Sequence, residues 1–306
     1  MTVEVFRDAG ATLVESIWWD PRTDEVVWVD ILAGTVHRGP WDGATDGSDD
    51  RVVTLEAPVS AVQPGPDGGY VATSRERILS LDASGRPREV LAEVRHPRAG
   101  IRFNEGKVDP FGAFVVGTMD ADGHPPAGAV YRLSGDGLSL LRGGFGITNG
   151  MEWVQDGRTF LLTDTTAGIV YRASYDGSGT LGELTPLLEG HSFDGLTRAE
   201  DGTLWNAVHG DGVVLQWSGA GELLSSIRLP APQVTSVAFA GPGLEHLLVG
   251  SSRENMSDAD VERRPMSGAI FRIAGVGRGF APYTFSSPDP SELVHIRPDT
   301  PKGRLP

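Results

Sequence analysis

A cluster of polar side chains, Arg102, Asn104, Glu105 and Lys107, leads into a strand-like run at 113–117. Arg102 offers a planar, permanently charged donor fork, and Asn104 offers both a donor and an acceptor. The pair suits a ligand rich in hydroxyl or carbonyl oxygens. The alternative is a salt-bridged surface loop, because charged clusters are mostly solvated.

Three more polar residues, Glu15, Asn149 and Asp194, share a position in the chain. Each lies about 5–8 residues upstream of a turn that begins with aspartate. Two carboxylates and an amide oxygen form a hard, all-oxygen ligand set whose charge would neutralise a divalent cation. Calcium, magnesium or manganese suits this set better than a structural zinc. Taken singly, the residues have simpler explanations, because N-G and D-G are common turn dipeptides and a lone glutamate can pair with an arginine.

The elements that must position these residues are short β-strands in an internal repeat. The chain repeats one phrase six times: a polar turn, an alternating apolar run, another turn and a second run. The copies start at Asp20, Pro66, Asp109, Gln155, Glu200 and Gly241. Their spacing of roughly 40–50 residues is that of four-stranded propeller blades. We predict an all-β fold, a six-bladed β-propeller over residues 1–285, in which the run at 2–6 completes the last blade.

A propeller would bring the polar residues together. The innermost strand of every blade lines a central channel, so residues just ahead of these strands converge on one axis although they are far apart in sequence. Glu15, Asn149, Asp194 and the pair Arg102 and Asn104 are predicted to lie just ahead of innermost strands.

Composition limits the possible partners. The formal net charge is -15 over 306 residues, which argues against nucleic acid and anionic membrane surfaces. With no cysteine, the chain has neither a disulfide framework nor a thiol nucleophile. No apolar run approaches the ~20 residues needed to cross a bilayer, and no signal sequence opens the chain. We expect a cytoplasmic protein that is a monomer or a weak homo-oligomer.

Three segments fall outside the repeat pattern. Residues 40–50 are acidic and turn-rich but lack the ligand spacing of an EF-hand, so a solvated loop is expected. Residues 253–267 form a polar excursion, expected to be a rim loop or lid. Residues 286–306 are rich in proline and poor in apolar residues, and are expected to form an irregular or disordered extension.

An ordered set of motifs runs to about residue 285: VESIWWDP with VVWVDI, EAPVSAV with GGYVAT, RFNEGKVDPFGAFVVGTM, TNGMEW, FDGL with GTLWNA, and GAIFRIAGVGRGFAPYTF. These motifs resemble those of the regucalcin (senescence marker protein 30) and gluconolactonase-like family of six-bladed propellers. The resemblance implies functional residues of two kinds. The implied metal ligands are Glu15, Asn149 and Asp194, and the implied substrate-binding residues are Arg102, Asn104 and Asp122.

Three features depart from the family pattern. Glu105 stands where members usually carry an aspartate, and Phe193 stands where they usually carry a proline. The loop around Asp122 varies in length among members, which makes its alignment the least secure. We expect Phe193 and the loop at 121–128 to affect substrate specificity more than metal binding.

The resemblance implies an enzyme that opens sugar lactones. One divalent metal ion, whether calcium, zinc, manganese, magnesium or iron(II), would polarise the lactone carbonyl, while Asp194 or a metal-bound hydroxide drives the attack of water. The alternative is a non-catalytic calcium-binding or regulatory protein, and a third possibility is a scaffold for protein partners. Serine chemistry is disfavoured, because the chain has no G-x-S-x-G elbow.

Overall fold

Six four-stranded antiparallel sheets contain the named strands of the computed structural model, which describes residues 2–120 and 126–286. Five sheets are built from four consecutive strands each. The sixth sheet contains the last three strands of the chain, and its outermost strand is the first strand of the chain. This arrangement confirms the predicted six-bladed β-propeller. In the part of the chain described, no helix is long and apolar enough to cross a membrane.

The strands are numbered in chain order, beginning with β1 (Thr2–Arg7). Blade 1 contains β2 (Val14–Asp20), β3 (Glu25–Asp30), β4 (Thr35–Pro40) and β5 (Arg51–Thr54). Blade 2 contains β6 (Val62–Pro64), β7 (Tyr70–Ser74), β8 (Arg77–Leu81) and β9 (Pro87–Glu93). Blade 3 contains β10 (Arg102–Val108), β11 (Phe114–Met119), β12 (Gly128–Ser134) and β13 (Gly137–Phe145).

The second half of the ring follows the same plan. Blade 4 contains β14 (Thr148–Val154), β15 (Thr159–Asp164), β16 (Ile169–Ser174) and β17 (Thr185–Glu189). Blade 5 contains β18 (Phe193–Arg198), β19 (Leu204–Val208), β20 (Val213–Trp217) and β21 (Leu223–Arg228). Blade 6 contains β22 (Val234–Ala240), β23 (His246–Ser251) and β24 (Ile270–Ala274), and it is completed by β1. Helix α1 (Asp258–Arg263) lies between β23 and β24.

The innermost strands form a closed circle around the channel. Contacts run from β2 to β6, β10, β14, β18 and β22 and back to β2. The ring is closed by hydrogen bonding between the two ends of the propeller chain, because β1 pairs antiparallel with β24 from Thr2 opposite Ala274 to Arg7 opposite Ile270. The expectation that the N-terminal run completes the last blade is confirmed.

The hydrophobic core is divided among the blade interfaces. Each of six buried clusters joins residues of two neighbouring blades. Each sheet is therefore covered on both faces, and β3 is buried at all six of its positions. This explains why VVWV in β3 is a continuous apolar run, since a strand covered on both faces has no solvent side that calls for polar residues.

A register shift interrupts the innermost strand near its start in five blades. The shifts lie between Glu15 and Trp18, Phe103 and Gly106, Asn149 and Met151, Phe193 and Leu196, and Val234 and Val237. Such bulges re-aim side chains and end regular pairing. Five predicted site residues lie among the first three residues of innermost strands, so the prediction that they lie just ahead of these strands is wrong: Glu15, Arg102, Asn104, Asn149 and Asp194.

Gly150 and Gly195 are strand residues at these bulges, so the simpler explanation of the two dipeptides as turns is also wrong. A Cβ added to Gly150 would lie 2.6 Å from the Asp194 carbonyl oxygen, and one added to Gly195 would lie 2.7 Å from the Thr235 carbonyl oxygen. Neighbouring innermost strands approach too closely for any side chain at these positions.

The chain after β24 crosses the end of the channel opposite the bulges. Within residues 275–286, the Phe280 ring packs 3.8 Å from the guanidinium of Arg198, the last residue of β18. Phe285 is buried in the core between blades 2 and 3, and its amide donates to the Pro64 carbonyl at 2.8 Å. The segment therefore runs from blade 6 past blade 5 to the opposite side of the ring.

Two of the three segments outside the repeat lie within the described residues. In the acidic loop 40–50, the Asp50 side chain is buried and accepts a hydrogen bond from Arg7 Nε at 3.1 Å, so the prediction of a solvated loop is wrong for this residue. The excursion 253–267 contains α1, capped by Ser257. Of the C-terminal extension only Ser286 is described, so the expectation for 287–306 lies outside the described residues.

Replacing Gly195 by alanine is expected to destabilise the propeller, because the new methyl group would collide with the backbone of β22. Overpacking of this kind costs about 1–3 kcal/mol. Gly135→Ala is the matched control, since no atom lies within 4 Å of the Cβ position there. Urea denaturation of the two variants measures the difference. Equal stability would show that the innermost strands can separate without cost.

Candidate functional site

Two carboxylates meet in the channel. Glu15 and Asp194 are the second residues of β2 and β18, both are buried, and they lie close enough for the charge of Asp194 to raise the pKa of Glu15. Asp194 Oδ1 is buried without any hydrogen-bond partner among the described residues. A buried acceptor without a partner is costly and calls for a specific explanation.

The environment favours the protonated form of both carboxyl groups. Burial, followed by the negative charges of Asp194 and Glu105, raises the pKa of Glu15 well above its ordinary value. Burial, followed by the charges of Glu105 and Glu254, raises the pKa of Asp194 to about 8. Desolvation and like charge act in the same direction here. The site therefore attracts positive charge, whether as a proton or as a metal cation.

Hydrogen bonds orient the Asn149 side chain so that its amide oxygen is available as an acceptor. Its Nδ2 donates to Thr165 Oγ1 at 3.1 Å, and the Thr165 hydroxyl donates to the carbonyl of Phe193 at 2.6 Å. Since the Thr165 proton is used in that second bond, Thr165 Oγ1 accepts from the Asn149 amide. This leaves the amide oxygen of Asn149 as the available acceptor, on the strand next to Asp194.

The residues present fit a divalent cation. Glu15 and Asp194 supply buried carboxylate oxygens, one of them without a partner, and Asn149 supplies an oriented amide oxygen. Hydrogen bonds that orient a ligand from behind are typical of metal sites. Within residues 2–120 and 126–286, no group of three or more His, Cys, Asp or Glu side chains could hold a metal ion. The set described here is of another kind, because one of its three members is an amide.

Arg102 and Asn104 stand on β10 beside these groups. Arg102 Nη1 donates to Asn104 Oδ1 at 2.8 Å, and Asn104 Nδ2 donates to the Thr148 carbonyl at 2.9 Å. Burial lowers the pKa of Arg102, while the charges of Glu254, Glu15 and Asp194 act against that shift. Asn104 thus fixes the guanidinium and ties β10 to β14. Asp122 lies outside the described residues.

A second group of charges lines the channel below the site. Lys107 Nζ lies 2.7 Å from Glu152 Oε2, and Arg198 Nε lies 3.5 Å from Glu152 Oε1. Burial raises the pKa of Glu105, and the charge of Lys107 opposes the shift. A cavity of about 60 Å³ is lined by Lys107, Glu152, Arg198 and the crossing segment.

Sequence reasoning missed three polar residues around the site: Thr165, His209 and Glu254. Thr165 directly follows β15, the second strand of blade 4. A search of the residues that follow the second strand of each blade could have found it. His209 holds the same place after β19, where its amide donates to the Ser192 carbonyl at 2.9 Å. Burial lowers the pKa of His209, and the charge of Glu254 opposes the shift. Glu254 belongs to the polar excursion 253–267.

A larger cleft of about 520 Å³ lies between blades 4 and 5. Its walls include Leu161, Leu187, Leu204 and Phe280, with Arg172 and Glu200 among the charged residues. None of the predicted site residues that the structure describes lines it. We place the site in the channel, because buried ionisable groups with perturbed pKa values and convergent polar atoms occur there together.

Comparisons with known proteins agree with this fold. The family model described as SMP-30/Gluconolactonase/LRE-like region matches residues 13–253. A solved structure described as the calcium-binding protein regucalcin from Agrobacterium tumefaciens matches with a TM-score of 0.84 at 26% identity, covering 92% of this chain and 97% of that one.

Curated relatives match nearly the whole chain. Regucalcin from Homo sapiens is 32% identical over 285 residues, covering 89% of this chain and 94% of that protein. A 6-deoxy-6-sulfogluconolactonase from Pseudomonas putida is 33% identical over 261 residues, covering 83% and 88%. Pentonolactonase XacC from Haloferax volcanii is 32% identical over 290 residues, covering 91% and 97%. The chain therefore belongs to the SMP-30/gluconolactonase/LRE-like family.

Proposed function

We propose that this protein is a metal-dependent lactonase that hydrolyses a sugar lactone at the mouth of the channel. The observation that carries the proposal is the combination of a buried carboxylate pair, with one oxygen lacking a partner, and a fixed guanidinium beside it. Relatives named as lactonases support the same reaction class. Glu15, Asn149 and Asp194 would hold one divalent cation.

A cation in this position would supply Lewis acidity toward the lactone carbonyl. Asp194 would accept the proton of the attacking water through Oδ1, the oxygen that no described group occupies. Binding of a cation lowers the basicity of a carboxylate, and the burial that raises the pKa of Asp194 offsets part of this loss.

Arg102 would orient the sugar. Its Nη1 is used by Asn104 and the Phe103 carbonyl, and its remaining donors are available to ring hydroxyls or to the carboxylate that forms on ring opening. Asn104 acts mainly as a positioning residue, because both ends of its amide already bind protein atoms. Correct placement of the lactone is the main contribution expected from this pair.

The second candidate function is a non-catalytic calcium-binding protein. It is favoured by the solved relative that is described as a calcium-binding protein. It would use the same three ligands but has no need for Arg102, which is largely buried beside them without a salt-bridge partner among the described carboxylates. A charged side chain is costly to bury without purpose, so this residue favours the enzyme.

Asp194→Ala is expected to abolish lactone hydrolysis, because it removes a ligand and the proposed base together. Arg102→Ala should mainly raise KM, since it removes a positioning contact. The measurement is pH-stat release of acid from five- and six-membered sugar lactones, with metal content verified for each variant. Full turnover by Asp194→Ala protein that retains its metal would contradict the assignment of the base. No hydrolysis of any lactone by the unmodified protein would favour the binding function.

Thr165→Val is expected to weaken cation binding about 10-fold or more, the lower end of losses seen when a group that orients a metal ligand is removed. The Asn149 amide would then be free to rotate its oxygen away. Isothermal titration calorimetry with calcium and manganese measures the affinity. Thr159→Val is the control on the same blade, because Thr159 lies at the opposite end of β15 from Thr165. Unchanged affinity would show that Asn149 is not oriented by Thr165 or is not a ligand.

The metal-free protein is expected to lose stability as pH rises. Asp194 binds its proton more tightly in the folded state, because its pKa is about 8 there against 3.8 for a free side chain. The stabilisation of the folded state that this proton provides is fully present below pH 3.8 and is lost as the pH rises through about 8. Urea denaturation in EDTA across this window should show a steeper decline for the unmodified protein than for Asp194→Asn. Parallel profiles would contradict the raised pKa, and added cation should flatten the decline.

A further inference from the structure

The third strand of four blades carries an arginine at the same place in the repeat. Each arginine follows an aromatic residue or histidine, and each pairs with an aliphatic residue of the second strand of its blade. The four are Arg38 in β4, Arg132 in β12, Arg172 in β16 and Arg272 in β24. Because their positions are equivalent, each can be expected to meet the same part of the next blade.

Three of these arginines reach the turn between the third and fourth strands of the next blade. Arg38 Nη2 donates to the Ser84 carbonyl of blade 2 at 3.0 Å, and Arg132 Nη2 donates to the Gly177 carbonyl of blade 4 at 3.0 Å. The guanidinium of the arginine in β24 lies 5.4 Å from the ring centroid of Trp41 in the turn of blade 1. At these three interfaces the arginine bridges the two blades.

Arg172 does not make this bridge. The turn of blade 5 that it would reach contributes Gly219 to the cleft of about 520 Å³, and Arg172 lines the same cleft from blade 4. The Arg172 carbonyl accepts a hydrogen bond from Thr185 Oγ1 at 3.3 Å. Among the residues that the structure describes, its guanidinium has no hydrogen bond, ion pair or ring contact, and the side chain is exposed. Its donors are therefore available to a ligand.

Leu204 accounts for part of the open space. It is the first residue of β19 and pairs with the last residue of β20, as Tyr70 in β7 pairs with the last residue of β8. The Tyr70 hydroxyl accepts a hydrogen bond from Arg38 Nη1 at 3.1 Å. Leucine is smaller than tyrosine and has no hydroxyl group. The cleft thus lies where a bridge found between other blades is missing.

The cleft combines an apolar floor with free charges of both signs. Leu161 and Leu204 line it, and the Phe280 ring beside them is 43% exposed. Glu183 of blade 4 and Glu200 of blade 5 also line it, and neither forms an ion pair within the described part of the chain.

The second cation of the cleft is already engaged. Arg198 Nε lies 3.5 Å from Glu152 Oε1, and its guanidinium packs on the Phe280 ring. One arginine and two carboxylates therefore remain without partners around the apolar floor.

We propose that this cleft is a second binding site, for a small zwitterion with an apolar body, the chemistry of a dipeptide with apolar side chains. The ligand carboxylate would pair with the Arg172 guanidinium, which suits bidentate contact, and its ammonium group with Glu183 or Glu200. The apolar body would cover the leucines and Phe280. The volume is within the range of small-molecule sites. The inference is independent of the proposed lactonase function.

Charge complementarity selects this class of ligand. An anion with the same apolar body would bind Arg172 but would also approach Glu183 and Glu200, whereas a cation would approach Arg172. A ligand that carries both charges can satisfy both kinds of group. Discrimination of this kind comes from unfavourable as well as favourable contacts.

The test uses leucyl-phenylalanine and two derivatives with the same apolar body. The N-acetyl derivative lacks the ammonium group, and the C-terminal amide lacks the carboxylate. Isothermal titration calorimetry at neutral pH measures the affinity of each for the full chain. We expect the dipeptide to bind about tenfold more tightly than either derivative, because each derivative loses one hydrogen-bonded charge pair. Equal affinities for the three probes would overturn the inference.

Two variants locate the site. Arg172→Gln is expected to weaken binding of the dipeptide about tenfold without weakening binding of its amide, which has no carboxylate to lose. Leu204→Tyr is expected to abolish dipeptide binding, because it restores the residue found at the equivalent place in blade 2 and fills the cleft. The matched control is Arg228→Gln, an exposed change on blade 5 outside the cleft, which should leave the affinity unchanged.

The inference fails if the unmodified protein does not bind the dipeptide. It also fails if Arg172→Gln leaves the affinity unchanged, or if Arg172→Gln and Arg228→Gln weaken binding equally, since the loss would then reflect net charge alone. Arg172 is exposed, so its variant should fold normally and decides the matter even if Leu204→Tyr destabilises the blade.

Discussion

Closure of the ring is the constraint on which the other features of the structure depend. The core consists of interfaces between blades, so a blade without a neighbour on each side would expose one of its apolar faces. Pairing of β1 with β24 provides the last interface and leaves no innermost strand without two neighbours. The same closure sets the width of the channel, and with it the distance between side chains that point inward. Glycines at 150 and 195 show how tight this packing is, because the backbone of the next strand occupies the place of a side chain.

The channel gathers more negative charge than a protein interior tolerates without compensation. Burial raises the pKa of Glu15, Glu105 and Asp194, and the charge of at least one neighbouring carboxylate adds to each shift. Lysine and arginine partners lower in the channel neutralise Glu152, but the pair at the mouth has no such partner within hydrogen-bonding distance among the described residues. The apolar cores between the blades stabilise the fold. They can offset the electrostatic cost of burying these carboxyl groups without a cation. This separation of stabilising and functional regions is typical of propellers, where the core and the channel are built from different residues.

The blade count and the identity of the inner strands could be predicted from the sequence, because every blade repeats the same turn chemistry. The exact positions of the site residues within these strands could not be predicted from the sequence. The bulges at these positions lie where neighbouring innermost strands are in close contact. Asp50 looked like part of a solvated acidic loop, and its burial depends on Arg7, which is 43 residues away. The orientation of Asn149 depends on Thr165. The contact between Arg7 and Asp50 depends on ring closure, because Arg7 lies on blade 6 and Asp50 precedes β5 of blade 1, whereas Thr165 could have been found from its place directly after β15.

The segment 275–286 crosses one end of the channel. It packs at the end of the channel opposite the buried carboxyl groups of Glu15 and Asp194, and Phe280 and Phe285 anchor it on blades that are not neighbours. In the proposed lactonase, the lactone would enter and the acid product would leave through the mouth at the other end. The negative charges that gather at this opening would speed that departure, because they repel a newly formed carboxylate. The segment also connects blade 6 to blades 2 and 3 through Phe285. Loss of the pairing between β1 and β24 would therefore not by itself separate the first blades from the last ones.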